Sequence, residues 1–596
     1  MSTQKYSVNQ PLIEILISWV KSGEIAIPEI QRPFVWSSTK VRDLMDSLYQ
    51  GYPIGYIIAW RNPNIKLKDG SLSEGKKILI DGQQRVTALT AAIIGQQIVN
   101  KDYKKVRIQI AFNPLEEKFE TLTPAIAKNK KWVDDISTVF NGNLFDIVGN
   151  YLELNPDADN IKIQTVFQDL INIPKKQIGL IELSGDLDIE MVTEIFIRIN
   201  SQGVPLSQAD FVMSKIATNE NYGGSLLRKA IDYFSHLAVV PEFYTHIAEN
   251  DKEFSKTDYF QKISWLKNET DDLYDPTYKD VLRVAFTYKF NRGRISDLVS
   301  LLSGRNFVTR EYEEEIAEES YNTLINGVKQ FINETNFKRF SMIIKSAGFV
   351  DNKLIRSVNA LNFAYILYLK LKELQVNSAL IEKYVKKWFV LSILTGRYSG
   401  SPESRFDFDI KNISKKDFSE YLTEIEDAQL STAFWDAELI QRLNTSSSSS
   451  PVFNVFLASQ CYFNDKGFLS KDITVKNLIE QRGDVHHIFP KDLLKKQGLT
   501  RGQYNQIANY VYTQSEVNIK IGNKSTKQYL SEIKDQCNGG ELKYGGIIKS
   551  NDVLDNLKQN AIPENIFEIE TEHYQEFLLE RRKLMSKKIK EYYGKI

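Results

Sequence analysis

The sequence predicts an α+β multidomain protein, with an α/β domain over residues 1–215, a mostly helical middle domain over 216–445 and a smaller C-terminal domain over 446–596. Its 596 residues are enough for three or four domains of about 100–200 residues each. Short apolar runs typical of buried strands alternate with helical patterns in the first domain, whereas helical spacing of apolar residues dominates the second. A polar serine tract, TSSSSSP at 445–451, marks the last boundary.

The composition excludes several classes of protein. With 42% hydrophobic and 26% charged residues, the chain is neither disordered nor fibrous. Its 76 basic and 76 acidic residues cancel, so any surface that binds nucleic acid must be local. Two cysteines, Cys461 and Cys537, cannot form a disulfide framework. The start lacks a signal-peptide pattern and no apolar run is long enough to span a membrane, so we expect a cytoplasmic protein without a membrane partner.

In the first domain, a capping serine and glycines at helix ends predict where the helices begin and end. Ser7 is the expected N-cap of a helix that stops at Gly23, and a second helix should end at Gly51. A third helix is expected to begin near Gln84 and to be closed by Gly95. Apolar runs predict three strands, YIIAW (56–60), KKILID (76–81) and VRIQIAF (106–112).

A charged loop, DGQQR (81–85), falls between a predicted strand and a predicted helix. Backbone N–H groups at such a junction can face an anion; Arg85 could bind a phosphate and Asp81 a metal or hydroxyl. The alternative is a helix cap with a solvated arginine. The nearby GSLSEGK (70–76) is not a Walker A loop, because Lys77 replaces the Ser or Thr and the segment runs into a strand.

The helical middle domain offers little chemistry. His236 and His246 are ten residues apart without a ligand-type partner at helical spacing, and they are expected to be structural or at the surface. The segment LTGRYSGSPESRFDFDI (394–410) suggests only a phosphate contact by Arg397 or Arg405. The last twenty residues predict a basic helix with a solvated face.

The clearest chemistry lies at GDVHHIFP (483–490). Neighbours in an extended segment point to opposite faces, so His486 and His487 can have different roles, one as a metal ligand and the other facing a scissile bond. Downstream, NYVYT predicts a strand, and SEVN predicts the start of a helix with Ser515 as N-cap. Asn509 and Asn518 are nine residues apart across that junction.

The surroundings of the histidine pair suit phosphate chemistry. A neutral imidazole, with an ordinary pKa of about 6.5, can accept a proton from water near neutral pH. Asp484 is an additional metal ligand or a partner of an imidazole. Residues 471–550 contain 13 Lys/Arg and 8 Asp/Glu, a local net charge of +5 in a neutral chain.

The segment DVHHIFP, with Asn509 and Asn518, resembles the ββα-metal (HNH) nuclease domain at the C-terminus of GmrSD-type, type IV-like modification-dependent restriction endonucleases. This resemblance implies that His487 is the general base. It implies that His486 and Asn518 bind one divalent metal, Mg²⁺ or Mn²⁺, and that Asn509 braces the loop.

A second resemblance covers the N-terminal domain. IPEIQRPFVW (27–36), IDGQQR (80–85) and FIRINSQGVPL (196–206) resemble the ParB-like domain of the same enzymes, which binds and hydrolyses nucleoside triphosphates. The resemblance implies a pocket for GTP or ATP lined by the following residues: Gln31, Arg32, Asp81, Gly82, Gln83, Gln84, Arg85, Phe196 and Asn200.

Together these resemblances imply a DNA endonuclease of antiphage restriction that senses DNA modification, is regulated by nucleoside triphosphate and acts on double-stranded phage DNA, with homo-oligomerisation left open. The chain also resembles phosphorothioate-sensing SspE-like defence proteins, for which a mark would protect DNA rather than expose it to cutting. One alternative is a nucleotide-regulated ParB-like DNA-binding protein with an inactive HNH domain. Another is an HNH nuclease that acts on RNA.

Overall fold

The computed structural model describes residues 5–22, 24–26, 34, 36–61, 77–99, 105–185, 187, 195, 208–219, 222–311, 313–481 and 483–596. The chain divides into two compact units, Met1–Asn268 and Glu269–Ile596. Strands and helices occur in both, so the predicted mixed α+β class is confirmed, while the three-domain division stays a prediction. Across the described ranges, every helix is too short or too polar to cross a bilayer.

The first unit contains a mixed five-stranded sheet. Its strands lie in the order β1-β9-β3-β4-β2, with β3 parallel to β9, β4 parallel to β2, and the β1–β9 and β3–β4 pairs antiparallel. Smaller two-stranded ladders join β5 to β6 and β7 to β8. The strand bounds are Tyr6–Asn9 (β1), Ile25–Ala26 (β2), Tyr56–Arg61 (β3), Lys77–Asp81 (β4), Ile98–Val99 (β5), Lys105–Val106 (β6), Ile110–Asn113 (β7), Lys118–Thr121 (β8) and Gly179–Leu183 (β9).

Helices pack on this sheet through one apolar core that includes Leu16, Ile57, Leu79 and Leu180. The first six helices of this unit contribute residues to this core. The helices of the unit are Ile13–Lys21, Ser38–Tyr49, Gln83–Leu89, Ile136–Asn141, Leu144–Leu154, Asn160–Ile171, Gln208–Thr218, Gly224–Val239, Phe243–Asn250 and Asp258–Lys262. His236 stacks on Phe243 with ring centroids 3.8 Å apart, and Phe243 stacks on His246 at 4.8 Å. Both histidines therefore have packing roles.

Most of the elements predicted for this unit are present, with two corrections. Gly51 follows its helix with a φ of 77°. Gly95, with a φ of 81°, closes the π-helical turn Thr90–Ile94 that continues the helix Gln83–Leu89, so both glycines end a helix as expected. Ser7 is not an N-cap: it lies in β1 and pairs with Glu182, and the helix begins at Ile13. The run VRIQIAF is interrupted, so that only its ends belong to strands β6 and β7.

The second unit is mostly helical. Its helices are Tyr278–Phe290, Ile295–Leu302, Glu314–Phe331, Glu334–Ser346, Val358–Glu373, Ser378–Thr395, Pro402–Ile413, Phe418–Gln429, Leu439–Arg442, Pro451–Tyr462, Val475–Glu480, Lys491–Lys496, Arg501–Tyr504, Ser515–Ile521, Thr526–Cys537, Ser550–Gln559 and Tyr574–Lys595. The antiparallel strands Asp484–His487 (β10) and Tyr510–Thr513 (β11) form one small ladder. The serine tract is a short connection between two of these helices.

Arg397 does not offer the phosphate contact that its sequence context suggested. Its side chain is 1% exposed and pairs with the fully buried Asp409, at 2.5 Å from Nη2 to Oδ1 and 2.8 Å from Nε to Oδ2. Hydroxyl groups of Tyr398 and Tyr421 donate to the same carboxylate at 2.8 and 2.7 Å. Arg397 is therefore part of a buried polar network, whereas Arg405 is exposed.

The C-terminal helix Tyr574–Lys595 has the predicted solvated basic face, with Lys583, Lys587 and Lys590 exposed, but its opposite face is buried. Tyr574, Phe577 and Ile589 are at most 2% exposed, and so is Arg581. The Arg581 guanidinium donates to the backbone carbonyls of Ala508 at 2.7 Å and Tyr510 at 2.8 Å. The helix therefore supports the start of β11 instead of extending as a solvated tail.

Candidate active site

Two strands and a helix build the site around the histidine pair. In the β10–β11 ladder, His486 is opposite Val511 and His487 is opposite Tyr510. The helix Ser515–Ile521 follows β11 after a single residue. The predicted strand and helix are both present, although Gln514 is the N-cap and Ser515 is the first helical residue.

His486 faces the interior. It is 5% exposed, and its Nδ1 lies 2.7 Å from Oδ1 of Asn518 on the helix. Asn518 Nδ2 in turn donates to Oδ2 of Asp484 at 3.3 Å, which turns the amide oxygen towards the imidazole. Burial lowers the pKa of His486 to about 4, so the ring is neutral at physiological pH.

These groups fit a divalent metal. His486 Nδ1–H donates to Asn518 Oδ1 at 2.7 Å, so these two atoms are close enough to contact one ion, which would take the Nδ1 lone pair once that proton moves to Nε2. Within the described ranges, no group of three or more His, Cys, Asp or Glu side chains forms a metal site. A metal held here would therefore have few protein ligands and would keep positions open for phosphate and water.

His487 lies on the other face of the strand and is only partly buried. Its Nε2 is 3.0 Å from Oδ1 of Asn505, and its ring meets Tyr510 edge-on with centroids 4.9 Å apart. Burial lowers the pKa of His487, the Asn505 hydrogen bond opposes that shift and the nearby Lys491 adds to it. A neutral imidazole oriented through one nitrogen can accept a proton at the other.

Asn505 is the residue that sequence reasoning missed. It caps the short helix Arg501–Tyr504 inside the segment between the two strands, 18 positions from His487. Nothing in its local sequence distinguishes it from any other loop asparagine. Its contact with His487 depends on how this segment folds back onto β10.

Asn509 is fully buried at the base of the same segment. Its Oδ1 accepts from the backbone N–H of Phe489 at 2.8 Å, and its Nδ2 donates to the carbonyl of Phe489 at 3.0 Å. The backbone of Asn509 also accepts from Ile488 N–H at 2.9 Å. These contacts tie the two ends of the segment together, as a loop brace would.

The DGQQR residues lie at the end of β4 in the first unit. Asp81 is the last strand residue, and Gly82 has a φ of 95° that favours glycine. A Cβ on Gly82 would lie 3.1 Å from the Ile57 side chain, so a larger residue would also crowd Ile57. Gln83 and Gln84 begin the helix and are 8% and 9% exposed.

The Arg85 side chain contacts both β3 and the end of β4 at this strand-to-helix junction. Its Nη1 donates to the backbone carbonyl of Tyr56 at 2.7 Å and lies 3.7 Å from Oδ2 of Asp81, with both charged side chains about a quarter exposed. The Oε1 atom of Gln83 is buried and has no hydrogen-bond partner in the described part of the chain. The other predicted pocket residues, Gln31, Arg32, Phe196 and Asn200, lie outside the described residues.

Comparisons with known proteins bear on both ends of the chain. An uncharacterized protein of Methanocaldococcus jannaschii, MJ0686, is 22% identical over an alignment that covers 93% of this chain and 92% of that protein. Residues 13–217, which include the DGQQR junction, match the family model of the GmrSD restriction endonuclease N-terminal domain. These residues are therefore similar to the N-terminal domain of GmrSD restriction endonucleases, as the N-terminal motifs predicted.

Proposed function

We propose that this protein is a metal-dependent DNA endonuclease of restriction that cuts or nicks phage DNA through its HNH-like site. The family match at residues 13–217 supports a restriction nuclease with DNA as its partner. The observation that carries the assignment is that the two histidines of β10 have different partners on opposite faces of the strand. His486 is hydrogen-bonded to Asn518 on one face, and His487 is hydrogen-bonded to Asn505 on the other.

The chemistry divides between the two histidines. With Nε2–H donated to Asn505, the Nδ1 of His487 is free to take a proton from water as it attacks phosphorus. His486 and Asn518 would hold Mg²⁺ or Mn²⁺, and a bound ion would neutralise charge on the scissile phosphate and leaving oxygen. Asp484 holds the Asn518 amide in the orientation that this binding needs.

Plasmid cleavage in Mg²⁺ or Mn²⁺ tests this proposal. We expect His487→Ala to abolish cutting, because the variant lacks the imidazole that accepts the proton from the attacking water. His573→Ala is the matched control, since His573 is an exposed histidine at the start of the C-terminal helix. If His487→Ala cut DNA as fast as the wild type, His487 would not be the general base. If the wild-type protein bound DNA but left it intact, the alternative of a DNA-binding regulator would be favoured.

We further propose that GTP or ATP binds the N-terminal domain at the DGQQR junction and controls cleavage. The buried, unsatisfied Gln83 Oε1 and the partly exposed Arg85 and Asp81 support a polar ligand there. Asp81→Ala and Arg85→Ala should each abolish triphosphate hydrolysis or its effect on cutting. Unchanged turnover together with unchanged cleavage would exclude this role.

Modification sensing is the remaining part of the proposal. We would compare the cleavage of plasmids that carry glucosylated hydroxymethylcytosine, phosphorothioate or neither mark. The comparison shows whether a mark exposes DNA to cutting or protects it. Cutting of glucosylated DNA only would mean that the mark exposes DNA to attack, whereas cutting of DNA that lacks phosphorothioate would mean that this mark protects the host. Equal cutting of all three would contradict modification sensing.

A further inference from the structure

The 22 residues between β10 and β11 form a basic segment beside His487. Residues 488–509 carry the four cations Lys491, Lys495, Lys496 and Arg501 and a single carboxylate, Asp492, in a chain whose formal net charge is zero. All four cationic side chains are exposed. We call these residues the basic segment.

Three of these cations are free to meet a ligand. Lys495 pairs with Asp492 at 3.4 Å, but no ion pair within the described residues involves Lys491, Lys496 or Arg501. With four cations against one carboxylate, the segment has a net charge of +3. Such an excess favours a polyanion over a neutral partner.

The placement of the cations relates them to the catalytic face. Lys491 follows His487 by four residues and is near enough to act on its imidazole electrostatically. Arg501 acts in the same way on Tyr510, whose ring contacts His487 edge-on. Positive charge therefore lies near the proposed base and near the ring that contacts it.

The backbone of the basic segment is fixed at both ends and in its middle. Thr526 and Tyr529 hydroxyls donate to the carbonyl of Ile488 at 3.0 and 2.8 Å. At the other end, Arg581 donates to Ala508. The Tyr574 hydroxyl lies 3.2 Å from the carbonyls of both Gln503 and Tyr504. A scaffold held in this way presents its cations at set positions, which lowers the entropy lost on binding.

We propose that the basic segment is a phosphate-binding platform that grips the backbone of duplex DNA next to the bond to be cut. The inference rests on the proposed nuclease function and adds the surface that holds the substrate. Lys491, Lys496 and Arg501 contact phosphates and carry no sequence information, so the platform binds DNA irrespective of its base sequence.

Binding of a labelled DNA duplex at several salt concentrations, without divalent metal, tests the platform. The triple variant Lys491→Ala, Lys496→Ala and Arg501→Ala should bind about ten- to a hundredfold more weakly. The magnitude of its log–log salt slope should fall by about 2–3, because each neutralised phosphate contributes about 0.9. Exchanging Lys for Arg and Arg for Lys at the same positions should restore both quantities.

The matched control is a triple alanine variant of the exposed lysines Lys383, Lys415 and Lys590, which removes the same charge elsewhere in the unit. An unchanged salt slope in the platform variant, an equal loss in the control variant, or a loss confined to duplex RNA would each overturn the proposal. Failure of the nuclease assignment has a different signature: the wild type would bind DNA with the full slope and leave it uncut.

Discussion

At the scale of single residues, the contact between His487 and Asn505 decides which imidazole nitrogen can act. An acceptor 3.0 Å from Nε2 keeps the proton there and leaves Nδ1 as the base. We expect Asn505→Leu to lower the single-turnover cleavage rate by about tenfold or more, since a misoriented base loses much of its contribution. Asn505→Asp, which keeps an acceptor oxygen, should retain most of the rate.

Two measurements make this prediction specific. DNA affinity without metal should be the same in Asn505→Leu and the wild type, because the residue positions the base and does not hold DNA. A cleavage rate for Asn505→Leu equal to that of the wild type would show that His487 needs no such partner.

A second prediction at this scale concerns Asp484, whose carboxylate accepts from Asn518 at 3.3 Å. Removing a partner that orients a metal ligand typically costs about 10–100-fold in metal affinity. Mn²⁺ binding measured by calorimetry should weaken by that amount in Asp484→Ala. Asp492→Ala removes a carboxylate from the basic segment and should leave Mn²⁺ binding unchanged; equal affinity in both variants would contradict a metal site at Asn518.

The residues of the candidate site differ in how far the sequence could predict them. His486 and His487 are adjacent, so strand alternation alone places them on opposite faces, as the structure has them. Asn518 lies one helical turn into the helix that follows β11, again a local relation. Asn505 belongs to a segment whose course depends on tertiary contacts to Tyr574 and Arg581, which no local pattern reveals.

At the scale of elements, the buried pair of Arg397 and Asp409 joins the connection after the helix Ser378–Thr395 to the helix Pro402–Ile413. Arg397→Gln would leave a fully buried carboxylate without its cation. Breaking such a pair costs about 3–5 kcal/mol, and we expect the free energy of unfolding to fall by that amount in urea titrations. Arg405→Gln alters an exposed arginine on the second helix and should change stability by less than about 0.5 kcal/mol. Similar losses in the two variants would show that the network contributes nothing specific.

Two elements show where local patterns mislead. Ser7 begins a plausible helix by sequence, yet residues 6–9 pair with β9, about 170 positions away, and long-range strand pairing overrides the local propensity. The C-terminal helix looks solvated because Lys and Arg are frequent in it. Arg581 is nevertheless buried against three backbone carbonyls, a state that only its neighbours in space can provide.

At the scale of the whole molecule, the mixed fold class was predictable because strand and helix periodicities are local properties of the chain. The division into two compact units after Asn268 was not, since it depends on which helices pack together rather than on any Gly-, Pro- or Ser-rich boundary. The serine tract, the most conspicuous boundary signal in the sequence, lies inside the second unit.

One histidine in each unit, the half-buried His236 and the buried His486, links stability to pH. Burial lowers the pKa of His236 in the first unit and of His486 in the second to about 4, against about 6.5 in an unfolded chain. Between these values the unfolded chain binds a proton that the folded chain does not. The stability they contribute is therefore complete above pH 6.5 and is lost as the pH falls towards 4.

Unfolding in urea at pH 7 and pH 5, with a chelator to exclude metal linkage, measures this effect. Between these pH values the wild type should lose up to about 2 kcal/mol more stability than His236→Gln, and the same amount more than His486→Gln. The effects should add in the double variant, because the two side chains belong to separate compact units. His573→Gln, an exposed control, should lose as much stability as the wild type. If His236→Gln and His486→Gln lose as much stability between pH 7 and pH 5 as this control, the fold does not keep either histidine neutral.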